Sequence, residues 1–137
     1  MAGFELDPKL AADTAEIDRW ALSRVLLMED ANYPWLILVP ARAGLRDFHD
    51  LASEDLPAMM AEIVRASRTL EALFDPVKLN VAALGNQVPQ LHIHVIARRT
   101  DDPAWPKPVW GAAPARAYDD AARSQRIAGL HEAFTRF

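Results

Sequence analysis

The chain has 137 residues, of which 51% are hydrophobic, 25% charged and only 5 glycine. That balance suits one folded unit with a real core and excludes disordered, collagen-like and linker-rich architectures. A net charge of −4 gives no general attraction to a nucleic-acid backbone, so polymeric DNA or RNA is not an expected partner. The absence of cysteine excludes disulfides, thiolate metal sites and a sulfur nucleophile, leaving histidine and carboxylate as metal ligands.

No apolar run approaches the roughly 18 residues of a membrane span, and residues 1–9 lack the basic start and apolar middle of a signal peptide. A cytoplasmic protein without membrane partners is expected. Residues 4–14 read as a short lead-in with a turn at Asp7-Pro8. Residues 17–28 are dense in β-branched, aromatic and leucine side chains and predict one strand. Turn residues at 29–34 separate it from the apolar run Trp35-Leu36-Ile37-Leu38-Val39, a central strand ended by Pro40. The two strands are expected to form an antiparallel hairpin.

Residues 41–51 read as a loop with room for a short turn of helix, and Ser53-Glu54-Asp55 reads as a helix start with a capping hydroxyl and two acids at the positive end of the dipole. Leu56, Met59, Met60, Ile63, Val64, Leu70, Leu73 and Phe74 recur at steps of three and four, which predicts a buried helical stripe ending at Asp75-Pro76. Both methionines are assigned to the core. Residues 78–83 predict a further strand. A polar link, Leu84-Gly85-Asn86-Gln87-Val88-Pro89, leads from it into Gln90-Leu91-His92-Ile93-His94-Val95-Ile96.

In that last stretch polar and apolar residues alternate with a period of two, so a strand puts Gln90, His92 and His94 on one face and Leu91, Ile93 and Val95 on the other. Two imidazoles then project side by side. Arg98 and Arg99 follow, and Arg42 and Arg46 lie in the earlier loop; all four read as solvated charge. His49 and His131 stand outside any motif and read as structural. Residues 101–111 are proline-rich and extended, with Trp105 and Trp110 as packing or interface anchors, and residues 118–137 carry a weak helical pattern.

The element order and the core of residues 90–96 resemble the histidine-triad (HIT) family of nucleotide hydrolases and transferases. Its signature is His-x-His-x-His followed by two hydrophobic residues. Gln90 stands in the first place here, His92 and His94 in the second and third, and Val95-Ile96 completes the motif. The resemblance covers roughly residues 18–110. It implies an α+β fold with a five-stranded antiparallel sheet, a long helix packed against it, and residues 111–137 as a C-terminal extension of the same single domain. It also implies a homodimer and a small nucleotide as substrate, a dinucleoside polyphosphate or a nucleoside phosphoramidate.

By the same resemblance His92 is the nucleophile that attacks the α-phosphorus, giving a nucleotidyl-histidine intermediate that water or another acceptor resolves. A neutral imidazole is competent for this at physiological pH without a metal or other cofactor. His94, on the same face, is placed to hydrogen-bond the phosphate, and Asn86 and Gln87 to donate to its non-bridging oxygens. Asn80 and Asp30 are implied binding residues, Asp30 as a sugar contact. Attack through one ring nitrogen needs the other to carry a proton held by an acceptor, and the backbone carbonyl of Gln90 can supply that acceptor. Two alternatives stand beside this reading. One is a metal hydrolase built on the His-x-His pair with His49 or Asp47 as further ligands; the other is a nucleotide-binding module whose catalysis is reduced by the loss of the first histidine.

Overall fold

The computed structural model describes residues 3–137. After a short helix, α1 (Pro8–Asp13), come three strands, β1 (Thr14–Arg19), β2 (Ser23–Met28) and β3 (Trp35–Pro40). The long helix α2 (Leu56–Phe74) follows, then β4 (Lys78–Ala82), β5 (Ile93–Arg98) and the terminal helix α3 (Asp120–Phe134). The strands form one antiparallel sheet in the order β1-β2-β3-β5-β4, the five-stranded α+β architecture implied by the resemblance.

The stretch expected to be one strand over residues 17–28 is two. The chain reverses at Trp20–Leu22, where the Trp20 amide donates to the Ser23 carbonyl at 2.8 Å, and β1 then pairs back on β2. No glycine, proline or asparagine marks this turn. Its stabilising partner is distant in sequence: the Glu62 carboxylate on α2 accepts from the Leu22 amide at 2.9 Å.

Each face of the sheet has its own apolar layer. On one face Val25, Leu27, Leu36, Leu38, Ile93, Val95 and Ala97 pack under α2 and α3, against Met59, Ile63, Leu70, Leu130 and Phe134. On the other, Leu26, Trp35, Ile37, Val39 and Ile96 are covered by Leu10 of α1 and by Ala104 and Val109 of the segment after β5. β3 is therefore buried along its whole length, as its unbroken apolar run requires.

Three further expectations are corrected. Met60 is 61% exposed, while Met59 is buried; Leu56, Met60 and Val64 form an outward apolar stripe beside the core stripe. Ser53 does not cap α2, because a short helical turn, Ser53–Asp55, precedes it and no side chain bonds its first amides. Arg98 is not solvated but 1% exposed. Its guanidinium makes a two-point ion pair with Asp102 (2.7 and 3.1 Å) and donates to Asn80 Oδ1 and the Lys107 carbonyl, both at 2.8 Å. Burial would raise the Asp102 carboxyl, but the Arg98 guanidinium and the amides of Arg99, Trp105 and Ala104 outweigh it and hold that group below its usual range. The network fastens the segment after β5 onto the sheet face that carries the histidines.

Candidate active site

The period of two carries from sequence to structure: Leu91, Ile93 and Val95 enter the helix-side core, which leaves His92 and His94 on the opposite face. Both are buried, 6% and 5% exposed, and their ring centroids lie 4.9 Å apart, edge to face. β5 begins only at Ile93, so His92 sits immediately before it, two residues past the bend at Gln90.

The two rings are held in opposite tautomers. His92 Nδ1 lies 2.6 Å from the Gln90 backbone carbonyl. A carbonyl can only accept, so in the neutral ring Nδ1 carries the proton and Nε2 keeps its lone pair. His94 Nδ1 accepts instead, from the indole N–H of Trp35 at 3.0 Å, so its proton lies on Nε2. Burial, reinforced by the neighbouring His92, pushes the His94 pKa down to about 3. His94 is thus a neutral donor across the physiological range, beside a ring with a free lone pair.

These rings open into a cavity of about 340 Å³. Leu10, Met28, Ile37 and Val88 give it an apolar floor, Lys9, Asp13 and Thr14 a polar wall, and Asn86, Gln87 and Trp110 a rim. The link carrying Asn86 and Gln87 turns at Gly85, whose φ of 78° is a left-handed conformation that glycine adopts without strain. Neither amide side chain is engaged by a hydrogen bond among the described residues, so both are available. His92 also borders a second, smaller cavity on its other side, lined by Arg46, Asp47 and Phe48.

A family model for the HIT domain matches residues 12–101. The chain belongs to the histidine-triad family. Among solved structures, a histidine triad protein from Bradyrhizobium japonicum is 45% identical, with a TM-score of 0.95 over 97% of this chain and 99% of that one. One from Marinobacter aquaeolei is 41% identical, with a TM-score of 0.95 over 98% of each chain. One from Sinorhizobium meliloti is 39% identical, with a TM-score of 0.91 over 94% and 96%. A search of curated proteins found no match. HIT membership supports a protein of the nucleotide-binding, hydrolase or transferase kind, and among the described residues no helix is long and apolar enough to cross a membrane.

Within this HIT fold His92, His94, Asn86 and Gln87 converge on one cavity, but the other expected site residues are placed differently. Asp30 does not line it: it is 5% exposed, and its carboxylate accepts from the Asn32 and Arg116 amides at 3.0 and 3.2 Å. That pairing ties the C-terminal segment to the turn between β2 and β3. Asn80 shares the histidine face through its register with Ile96, but its Oδ1 is committed to Arg98. The Gln90 side chain turns away from the rings toward the N-terminal segment, accepting from the Asp7 amide and donating to the Glu5 carbonyl, both at 2.9 Å. His49 is exposed, and a ring nitrogen of His131 contacts the Ile17 carbonyl.

Among the described residues no cluster of three or more histidine, cysteine or carboxylate side chains could hold a metal ion. The third ligand that the metal-hydrolase alternative needs is not found among them beside the histidine pair. Trp35, Trp110 and the α1 wall were not legible as site residues. Trp35 sits in a wholly apolar run that does not reveal which residue faces the histidines, and the α1 wall is brought in by a contact more than 80 residues away in sequence.

Proposed function

We propose that this HIT protein cleaves or transfers a nucleotidyl group from a small nucleotide, a dinucleoside polyphosphate or a nucleoside phosphoramidate, through a covalent intermediate on His92. The observation that carries this reading is the opposed pair of tautomers, one nitrogen fixed as a lone pair and the adjacent ring fixed as a donor.

In the first step the Nε2 lone pair of His92 attacks the α-phosphorus, the N–P bond forms, and the bond from phosphorus to the leaving group breaks with its electron pair; a phosphate departs as the anion, and an amine takes up a proton from solvent as it departs. Nδ1–H stays on the Gln90 carbonyl, which stabilises the positive charge that develops on the ring. His94 Nε2–H donates to a phosphoryl oxygen, and Asn86 and Gln87 add donors from the rim. The apolar floor of Leu10, Met28, Ile37 and Val88 suits a base, and the second cavity at Arg46 and Phe48 offers a place for the departing half. In the second step water attacks phosphorus, the N–P bond breaks, His92 returns to its starting form and water's proton passes to solvent.

The test uses substrate labelled in the nucleotidyl group, quenched in alkali and mapped by peptide. Label on His92 and loss of turnover in His92→Ala are expected; measurable turnover without label on any histidine would overturn the covalent route. We further propose a homodimer formed along β4. This strand is an edge of the sheet, and Val77 just before it, Val81 within it and Met60 on α2 are 58%, 47% and 61% exposed.

A further inference from the structure

The side chain of Gln90, one residue before Leu91 and two before the histidine it serves through its backbone, meets a separate element of the structure. Its primary amide spans two backbone groups of the N-terminal segment, donating through Nε2 to the Glu5 carbonyl and accepting at Oε1 from the Asp7 amide. This is the pairing a strand neighbour would make, supplied by one side chain. An imidazole cannot reproduce it: its two nitrogens lie on different edges of the ring, and neither offers a donor and an acceptor side by side.

Asp7 is also where α1 begins. Its carboxylate caps the helix by accepting from the Lys9 amide at 2.8 Å, and its carbonyl accepts from the Ala11 amide at 3.0 Å. The next turn of chain supplies Lys9, Asp13 and Thr14 to the wall of the cavity that holds His92 and His94, and Leu10 to its floor. Only Leu10 of that helix is buried, so apolar packing alone anchors it at a single point.

We propose that Gln90 is a positioning residue with two outputs. Its carbonyl orients the nucleophile, and its side-chain amide docks α1 as the wall of the nucleoside pocket, so that the residue standing in the first histidine's place sets substrate affinity and selectivity. The inference rests on the nucleotide-site reading above for its consequence, but not for the clamp itself. Loss of the clamp releases the wall without disturbing the Gln90 carbonyl, and the damage falls mainly on KM.

The deciding variant is Gln90→Met, which keeps the length and volume and removes both hydrogen bonds. Gln90→Glu keeps the acceptor for Asp7 but faces the Glu5 carbonyl with oxygen instead of a donor. Gln90→His restores the usual motif residue. Two readouts are taken on full-length protein: amide exchange at residues 4–13, and KM and kcat on a dinucleoside polyphosphate and an adenosine phosphoramidate, with AMP affinity as an equilibrium check. In Gln90→Met the Asp7 amide should exchange on the order of tenfold faster, and KM should rise on the order of tenfold, the size of one to two neutral hydrogen bonds. Gln90→Glu should lie between it and the parent, and Gln90→His should behave like Gln90→Met. Unchanged exchange at Asp7, or a loss confined to kcat, would overturn the proposal, as would a Gln90→His protein with parental KM. A parent protein that turns over neither substrate would instead count against the nucleotidyl-transfer reading, and the exchange at Asp7 would then decide the clamp alone.

Discussion

His92 and His94 are alike in sequence context and burial, yet their neighbours assign them different chemistry: a carbonyl fixes one proton and an indole N–H fixes the other lone pair. The indole bond is open to a direct test. Trp35→Phe keeps most of the ring packing and removes the donor, so His94 is free to move its proton to Nδ1. We expect a folded protein with kcat lower by roughly tenfold, about the 1.4 kcal/mol of one neutral hydrogen bond, and a changed tautomer in the imidazole nitrogen NMR shifts. Stability should report the same site through pH. The folded pKa of His94 is about 3, below an unfolded value near 6.5, so between these values the unfolded chain binds the proton more readily. The stabilisation is complete above about pH 6.5 and falls as pH drops toward 3. Denaturant unfolding at pH 7 and pH 4 should show wild type losing on the order of 3 kcal/mol more than His94→Asn.

Elements were legible wherever a local pattern fixed them. The alternation around His92 and His94 placed the imidazoles on the sheet face opposite the helices, the recurring stripe gave α2, and Asp75-Pro76 gave its end, where Asp75 closes the helix in a left-handed conformation. What escaped depended on partners distant in the chain. The turn at Trp20–Leu22 has no turn residue of its own and leans on Glu62; Met60 fits the helical period as well as Met59 does, and only the position of the sheet separates them. Arg98 was the largest miss, because a sequence shows an arginine and not the aspartate, asparagine and carbonyl that the fold gathers round it. Its burial makes it costly to remove. Arg98→Met should destabilise the protein by about 3–5 kcal/mol in urea unfolding, since Asp102 is left as a buried carboxylate without its cation. Adding Asp102→Asn should recover a measurable part of that loss, and strict additivity of the two changes would show that they are not coupled.

At the scale of the molecule the two edges of the sheet differ in a way that points to one of them as a contact. β1 carries Glu16, Asp18 and Arg19, the charged pattern with which edge strands avoid pairing. β4 exposes Val81, and Val77 precedes it. The apolar stripe of α2 lies toward the same side. Arg65 donates to the Phe134 carbonyl of α3, which marks the flank of α2 that α3 covers; at about 100° per residue, Leu56, Met60 and Val64 fall on the flank opposite, beyond the buried stripe. A second copy set edge to edge on β4 would cover both the strand and that stripe. Light scattering at micromolar protein should therefore give twice the chain mass. Met60→Asp places an unpaired charge in that interface at a cost of a few kcal/mol, so its dimer dissociation constant should rise about a hundredfold, while the same substitution at an exposed site outside the stripe should leave it unchanged. The consequence should reach the active site as well. β4 ends at Ala82 and its chain continues through Gly85 directly into Asn86 and Gln87 at the cavity rim, so freeing this edge should loosen the support of the two amides proposed to bind phosphate. KM of Met60→Asp should then depend on protein concentration, approaching the parental value as the dimer is restored. A concentration-independent monomer mass for the parent protein would rule out this assembly and the coupling with it.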